Sequence, residues 1–458
     1  MLTKSFNGKQ VSINYISVGA VSGIGASSHY LQLDRHGLVL DAGMDPNAEG
    51  EEAIPDFDFL KKKPVHAIII THAHFDHIGS LPIAIQHFPH SRIYMTPPTS
   101  ELTEQMLYHY LKVRQKKEHE KGKKFSVLYT EDFVGKIRYI FQSFDYQWKF
   151  PLHGHEESGI QFSFYDAGHI LGSAGVLIDW KGKRIFYAGN TRKSAQFILR
   201  GAKYPSNVDL LITESTYGAN AEAEKIVASK EIKRFAKLLT ERIKLGGVVL
   251  IPVFALGRTQ EILTLLNRLR QKNQIPAVPI YITGFGIQVN KTYDRLLHKT
   301  YPEFTRGTLQ RISFGRWSRG RKLKGPAILL FTSGMMLRGT ASFDYAKQLA
   351  ASSLNGIFFV GYADPETPAG LFRQKKYESL KTIFEVDQIS CQVEIFHFSA
   401  HSNRRELMEM IKQMNPKSVI LTHGDQQAME WMKKSISTTM PAARVFIPEQ
   451  LKQIEIKV

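Results

Sequence analysis

The sequence predicts an α/β protein with more than one sheet, and two observations on its periodicity support this. Short apolar runs separated by glycine-rich turns recur through the first 215 residues, for example at 38–41, 65–70 and 184–189, and such runs are typical of buried strands. From about residue 220 to 385 strands alternate with helices: the apolar run at 248–253 precedes a helical repeat through Leu263, Leu266 and Leu269. This alternation is typical of a parallel sheet flanked by helices, and we expect few helices before it.

The last part of the chain returns to strand–loop–helix units. An apolar run at 394–398 leads into a Ser-Ala-His segment ending at His401, and an amphipathic helix is predicted near 404–414. A further run at 417–422 leads into His423. In each unit the polar residue comes directly after a strand, where a loop can present it from a rigid base.

The composition narrows the class of protein. Of 458 residues, 43% are hydrophobic and 22% charged, which is typical of globular chains. The only cysteine, Cys391, excludes a disulfide framework and favours a reducing, cytoplasmic location. No run approaches ~20 apolar residues and the N-terminus lacks a signal-peptide pattern, so we expect no membrane association.

The charge balance favours polyanionic partners. Sixty Lys and Arg against 42 Asp and Glu give a net charge of +18, which favours nucleic acid without proving it. Two basic clusters stand out, and the second contains Trp317 between glycines: Arg114, Lys116, Lys117, Lys121, Lys123 and Lys124; Arg316, Arg319, Arg321, Lys322 and Lys324. The second cluster indicates a flexible phosphate-binding loop, and a solvated surface is the alternative for both.

The segment His-Ala-His-Phe-Asp-His at residues 72–77 predicts a metal site. Three imidazoles and one carboxylate would be costly to bury unpaired on one short loop. Imidazole with carboxylate suits zinc or a similar divalent ion. The alternating His72 and His74 can face one ion, while Asp76 and His77 can turn toward a second.

This segment resembles the His-x-His-x-Asp-His signature of the metallo-β-lactamase fold, and further motifs follow in the order of the β-CASP nucleases. These are Asp41 after a strand, the Gly-His of His169, Tyr-Ala-Gly-Asn ending at Asn190, Thr-Glu-Ser-Thr-Tyr-Gly around Glu214, Ser-Ala-His at His401 and Thr-His-Gly at His423. The likeness covers essentially the whole chain. It is closest to the RNA-processing branch, which includes bacterial and archaeal RNases and the mRNA 3′-end cleavage subunit.

The resemblance implies an αββα sandwich with an inserted β-CASP α/β domain. Residues 1–215 and 386–458 would form the metallo-β-lactamase domain, and residues 216–385 the insertion. Two zinc ions are implied, one held by His72, His74 and His169, the other by Asp76, His77 and His423. Asp41 would not bind a metal itself but would hold these ligands in place. Asp76, Glu214 and His401 would be catalytic, with His401 protonating the leaving oxygen and Glu214 orienting it.

Substrate contacts are predicted in the insertion. Arg258, at the start of a helix, suits a phosphate of the substrate, with a helix-surface arginine as the alternative. Ser333 and Tyr362 lie in segments that resemble parts of the β-CASP domain and are expected to line the cleft.

Two positions depart from the family pattern. Asn190 stands where the family carries the aspartate that bridges its metals, and an amide supplies no negative charge. Asn403 replaces an aspartate common after the Ser-Ala-His motif. Three explanations for Asn190 stay open: a change introduced to inactivate the protein, the natural residue of a weaker or one-metal enzyme, or the mark of a non-catalytic relative that still binds RNA.

The leading hypothesis is a zinc-dependent ribonuclease that acts as an endonuclease, a 5′-exonuclease or both. Single-stranded RNA is the expected partner, while a DNA nuclease and a homodimer are left open. A hydrolase of small thioesters or lactams would share the His-rich loop, but it would not explain the insertion of roughly 160 residues or the positive charge. A non-catalytic RNA-binding subunit is the third alternative.

Overall fold

The computed structural model describes residues 11–21, 23, 25–121, 128–318 and 325–458, without the side chains of 117–121. The strands are, in chain order, β1 Ser12–Ser17, β2 His29–Leu33, β3 His36–Leu40, β4 Ala67–Ile69, β5 Arg92–Met95, β6 Phe141–Ser143, β7 Lys149–Pro151, β8 Gln161–Asp166, β9 Ala174–Trp180, β10 Lys183–Tyr187, β11 Leu210–Glu214, β12 Val248–Val253, β13 Ile280–Ile282, β14 Gly315–Arg316, β15 Ala327–Thr332, β16 Gly356–Phe359, β17 Gln392–Ile395, β18 Ser418–Thr422, β19 Arg444–Phe446 and β20 Gln453–Lys457.

The α-helices are α1 Phe75–Ile78, α2 Leu81–His87, α3 Pro97–Lys121, α4 Glu131–Ile137, α5 Ala228–Lys244, α6 Arg258–Gln271, α7 Gly284–Thr300, α8 Ala341–Ala350, α9 Pro368–Arg373, α10 Tyr377–Phe384, α11 Arg404–Met414 and α12 Gln426–Thr439. Short 3-10 helices lie at Gly50–Ala53, Phe57–Leu60, Arg138–Ile140, Glu156–Ser158 and Glu222–Lys225. Of the helices in these described ranges, none is both long and apolar enough to cross a bilayer.

The chain divides into two compact units. We call Met1–Ala195, Arg200–Glu224 and His401–Val458 the sandwich unit, and Gln196–Leu199 with Lys225–Ala400 the inserted unit. The chain therefore passes between units near 224 and 400, compared with the expected 215 and 385. The first boundary is later than expected because the segment after β11 makes its contacts within the sandwich unit. The second is later because the strand β17 pairs within the sheet of the inserted unit.

The sandwich unit contains two seven-stranded sheets. Their orders are β20-β1-β2-β3-β4-β5-β6 and β19-β18-β11-β10-β9-β8-β7. Side chains from both sheets form one core, in which Tyr15 and Leu40 of the first sheet join Trp180 and Ile212 of the second. Met410 of α11 and Met432 of α12 pack with Phe186 on the other face of the second sheet. This is the αββα sandwich that the resemblance implies.

The inserted unit contains one six-stranded sheet in the order β14-β13-β15-β12-β16-β17, with parallel pairing throughout. Its core includes Leu250, Leu329 and Phe372. The predicted alternation of strands and helices is confirmed here, because parallel strands require crossover connections and helices supply them.

The expectation of few helices before residue 215 was wrong, because α3 is 25 residues long. The sequence of α3 is too polar to show the apolar periodicity by which a helix is usually recognised. Leu102, Leu107 and Leu111 are buried, but most other positions carry Lys, Glu, Gln or Tyr. Long polar side chains are good helix formers, so propensity supports a helix that the hydrophobic pattern does not indicate.

Candidate metal centre

The order of the strands brings the histidine-rich loops to one edge of the sandwich unit. In the second sheet β10, β11 and β18 are parallel, so their carboxyl ends lie at the same edge. Glu214, the last residue of β11, pairs with Thr422, which precedes His423. In the first sheet β3 and β4 are also parallel, and they lead into Asp41 and the loop at 70–77.

Six of the predicted ligands lie in two groups of three. The potential ligand atoms lie within 4.8 Å of one another in each group: His72, His74 and His169; Asp76, His77 and His423. The rings of His72 and His77 bring the two groups together, since their centroids are 4.1 Å apart. Both groups lie wholly within the sandwich unit.

Unpartnered buried atoms test whether these residues fit a metal. Within the described part of the chain, Nε2 of His72, Nε2 of His77 and Oδ1 of Asn190 are buried and have no hydrogen-bond partner. A buried polar atom without a partner costs about 1–3 kcal/mol, and three such atoms in one site need an explanation. A cation would accept lone pairs from His72 and Asn190 and would take the place of the Nε2 proton of His77 beside Asp76, so the residues present fit a metal centre.

Asp41 and Thr71 set the orientation of two histidines. Asp41 accepts hydrogen bonds from the Thr71 amide at 2.7 Å and from the Tyr187 hydroxyl at 2.8 Å, and its Oδ2 lies 2.8 Å from His77 Nδ1. The Thr71 hydroxyl also donates to Asp41, at 2.8 Å, so it accepts from His72 Nδ1 at 3.0 Å. Both imidazoles therefore carry a proton on Nδ1, which directs Nε2 of each ring toward the candidate metal position.

A second hydroxyl connects Glu214 to His423. The Thr216 hydroxyl donates to the Glu214 carboxylate, and its oxygen lies 3.1 Å from His423 Nδ1. Because the hydroxyl proton is used on Glu214, this oxygen accepts from Nδ1, and Nε2 of His423 is left facing Asp76 Oδ2 at 3.3 Å. Neither Thr71 nor Thr216 was predicted as a site residue; their adjacency to His72 and Glu214 in the motifs was the available signal.

The site combines neutral and charged groups at close range. Burial, with the neighbouring His77 and His169, holds the pKa of His72 well below its usual value, which keeps this ring neutral. Burial also lowers the pKa of His77, but the Asp76 and Asp41 carboxylates outweigh it and raise that pKa to about 10. The negative charges that act on His77 are the ones available to stabilise a cation.

The buried Glu214 pairs with the partly exposed His401 beside the first group of histidines. Glu214 Oε2 lies 2.8 Å from His401 Nδ1, and Glu214 Oε1 accepts from the Thr191 amide at 2.6 Å. Burial alone would raise the pKa of Glu214, but the His401 ring lowers it, so the carboxylate is ionised. The His401 ring centroid is 4.6 Å from that of His169. Arg192 holds the His401 carbonyl at 2.9 Å.

The chain neighbours of Asn190 on both sides contact residues of the site. The preceding residue, Gly189, has a φ of +56°, and a Cβ there would meet the Thr71 side chain at 3.0 Å. The following amide, of Thr191, donates to Glu214. The side chain is 3% exposed. The position therefore carries a buried, uncharged amide, where the family resemblance implies a carboxylate that bridges two metal ions.

Asn403 has a structural role that its replacement of aspartate does not disturb. It caps α11: its Oδ1 accepts from the Glu406 amide at 2.9 Å, and Glu406 Oε2 accepts from the Asn403 amide at 3.0 Å. This is a capping box, in which asparagine and aspartate are about equally effective.

The predicted substrate residues lie in the inserted unit. Arg258 is 6% exposed; it donates to the Phe398 carbonyl at 2.7 Å and to the Gln196 side chain. It lines a shallow cleft with Tyr362, which is 40% exposed. Ser333 has a φ of +77°, an uncommon conformation for a residue with a side chain.

The basic clusters are only partly described. Arg319, Arg321, Lys322, Lys324, Lys123 and Lys124 lie outside the described residues, as do the side chains of Lys117 and Lys121. Trp317 is not an exposed loop residue. It is 5% exposed and packs with its ring centroid 5.0 Å from Tyr281 and 5.2 Å from Tyr345, so it anchors the inserted core.

Three family profiles match the chain in succession. Residues 22–231 match the metallo-beta-lactamase superfamily, residues 259–370 the Beta-Casp domain, and residues 387–448 the "Zn-dependent metallo-hydrolase RNA specificity domain".

Curated relatives match over nearly the whole chain. Endoribonuclease YSH1 of Eremothecium gossypii is 28% identical over 97% of this chain and 60% of its own length. Cleavage and polyadenylation specificity factor 73 of Drosophila melanogaster is 27% identical over 92% of this chain and 61% of its own. Transcription termination factor FttA of Methanosarcina mazei is 28% identical over 93% and 69%. The chain thus spans about three-fifths of the first two relatives.

A solved structure shows the same fold. A protein of unknown function from Enterococcus faecalis superposes with a TM-score of 0.56 and 12% identity, covering 98% of this chain and all of its own. With the three profiles and the two histidine groups at one sheet edge, these likenesses confirm the expected family: the chain belongs to the metallo-β-lactamase superfamily and carries an inserted β-CASP domain.

Proposed function

We propose that the protein is a zinc-dependent ribonuclease that hydrolyses phosphodiester bonds. The observation that carries this is the pair of three-residue ligand groups with unpartnered Nε2 atoms, next to the Glu214–His401 pair. The net charge of +18 suits a polyanionic substrate. The names of the relatives, endoribonucleases among them, and the RNA specificity profile favour RNA over DNA.

Two ions are proposed, with His72, His74 and His169 holding one and Asp76, His77 and His423 the other. When bound, such ions activate a water molecule and neutralise charge on the phosphate. The protein's part is to keep the ligand rings fixed. Asp41 and Glu214 do this through the Thr71 and Thr216 hydroxyls, which prevents the imidazoles from rotating to satisfy their own Nε2 atoms.

We assign the proton transfer to His401. A leaving alkoxide needs a proton, and an imidazole can donate one near neutral pH. The ionised Glu214 carboxylate accepts from Nδ1 and stabilises the charged ring, and we assign the donated proton to Nε2. The Arg192 contact to the His401 carbonyl fixes the backbone from which the ring acts.

Arg258, Ser333 and Tyr362 are proposed to form part of the substrate surface of the inserted unit. The buried guanidinium of Arg258 shapes the cleft through its contact with the Phe398 carbonyl. The Tyr362 ring is 40% exposed, and we assign it a stacking contact with a base of single-stranded RNA. A reducing, cytoplasmic location remains part of the proposal and rests on the single, buried Cys391.

A second candidate function rests on Asn190. A buried amide in place of a charged bridge favours an RNA-binding protein with one metal or none. Tight RNA binding with less than one metal per chain supports this alternative and contradicts the nuclease.

The deciding experiment incubates end-labelled single-stranded RNA and DNA with the protein and with its Asn190→Asp variant. A metal-dependent ladder from RNA, lost in His401→Asn, is the expected result. Cleavage of DNA alone assigns the protein to a DNA nuclease. Failure of both forms to cut either polymer contradicts the nuclease.

A further inference from the structure

A second cluster of metal-ligating side chains lies in the sandwich unit outside the centre described above. It consists of His36 at the start of β3, His155, and Glu157 in the 3-10 helix Glu156–Ser158. The potential ligand atoms of these three residues lie within 4.8 Å of one another, the same closeness as in each group of the main centre. The cluster is separate from that centre in sequence and uses none of its residues.

His36 is a buried residue whose side chain makes no hydrogen bond to the described part of the chain. It is 5% exposed, and its ring centroid lies 5.7 Å from that of His155. Two imidazoles and a carboxylate whose ligand atoms lie this close together are the composition of a metal site.

His66 supports the cluster without belonging to the ligand set. Its Nδ1 accepts a hydrogen bond from the Gly37 amide at 3.2 Å, which places its proton on Nε2 and leaves neither nitrogen with a free lone pair. Its ring packs against both histidines, with centroids 5.1 Å from His36 and 4.4 Å from His155. The His66 ring therefore restricts the movement of the His36 and His155 rings.

The remaining two ligands can move the short distance that coordination requires. In a tetrahedral zinc site, ligand atoms lie about 3.4 Å apart, because each is ~2.0–2.1 Å from the ion. His155 is 37% exposed and Glu157 58%, and their nearest approach is 3.9 Å. The Arg35–Glu157 contact of 3.3 Å is an exposed ion pair with little energetic value, so Glu157 is available to a cation.

We propose that His36, His155 and Glu157 form a second zinc-type site that binds one divalent transition ion. Two imidazoles and one carboxylate leave a fourth position for water. Because His36 begins a strand of the first sheet and His155 precedes the strand β8 of the second, a bound ion would join the two sheets. The site would then act as a structural clamp, independent of the hydrolytic centre.

The test counts zinc bound to the full chain at equilibrium, in wild type and in His155→Ala and Glu157→Gln. The matched control is His90→Ala, which removes an exposed histidine that belongs to neither site. We expect the two cluster variants to bind one zinc per chain fewer than wild type and the control to bind the same number. Equal zinc counts in all four proteins would overturn the proposal.

Two further measurements keep the result interpretable. Both mutated side chains are substantially exposed, so with a chelator present each variant should unfold at the wild-type temperature, while the zinc-induced rise should be smaller than in wild type. An equal rise in wild type and variants counts against a clamp.

Arg35→Gln removes a competing charge and is expected to tighten the site by about fivefold; unchanged or weaker binding counts against Glu157 as a ligand.

Discussion

Asn190→Asp is the change that most directly tests the charge balance of the metal centre. Two zinc ions would bring four positive charges, and Asp76 is the only anionic residue among the six side chains of the two ligand groups. Asn190 is 3% exposed and its Oδ1 has no hydrogen-bond partner among the described residues. A carboxylate at this position adds a negative charge without adding volume.

The magnitude follows from two opposed terms. A unit charge about 4 Å from a divalent ion gains roughly 8 kcal/mol at an effective dielectric constant of ~20. Burying the new carboxylate costs several kcal/mol, so we expect a net gain of about 1.5–3 kcal/mol. This corresponds to about 10–100-fold tighter binding of the weaker ion. Without metal the same carboxylate is an additional buried charge in a site that already contains Asp76, Asp41 and Glu214, and we expect it to destabilise the fold by about 1–3 kcal/mol.

The assay compares wild type, Asn190→Asp and Asn190→Ala by zinc titration and by thermal unfolding with and without a chelator. We expect the aspartate variant to melt below wild type without metal and to gain more from zinc, with a higher rate of RNA cleavage. Asn190→Ala, which removes the oxygen without adding charge, should not show this pattern. An Asn190→Asp variant that neither binds the second ion more tightly nor loses stability without metal would show that charge at this position does not limit metal binding.

Four further outcomes are expected. His401→Asn should lower kcat for RNA cleavage by about 10²–10⁴-fold with zinc content unchanged, and loss of zinc would contradict the role in proton transfer. Thr216→Val should weaken zinc binding through His423 by about 10–100-fold while Thr216→Ser retains it, as measured by titration. Asn403→Ala should cost about 1 kcal/mol in chemical denaturation and Asn403→Asp almost nothing. Burial raises the pKa of Glu261 above its ordinary 4.5, so the folded chain keeps this proton longer and stability falls as pH rises above about 4.5; Glu261→Gln should flatten that slope, and an unchanged slope contradicts the assignment.

Local sequence patterns predicted most of the elements that carry the site. The helix predicted at 404–414 is α11, and the run at 417–422 contains β18. These predictions succeed because strand and helix periodicities differ and because each element ends at a capping or turn residue. The run at 65–70 yields only the three-residue β4, since strand length depends on pairing with neighbours.

The ligand-type residues were also readable from the sequence. Four of them lie within six residues, and the others follow strands in the order of a known family. The sequence could not show that Trp317 is a core residue, because a tryptophan beside glycines and arginines has the same local pattern on a surface loop. Nor could it show α3, whose polar composition lacks an apolar stripe.

The sequence alone predicted which side chains are available for metal chemistry, that the chain is α/β, and that Asn190 brings no charge to the proposed site. How these side chains are held depends on contacts that form only in the tertiary structure. The contacts from Thr71 to Asp41 and from Thr216 to His423 span 30 and 207 positions of the chain, and His36 meets His155 across more than a hundred residues. Strand order decides which distant residues become neighbours, and local patterns carry no information on that order.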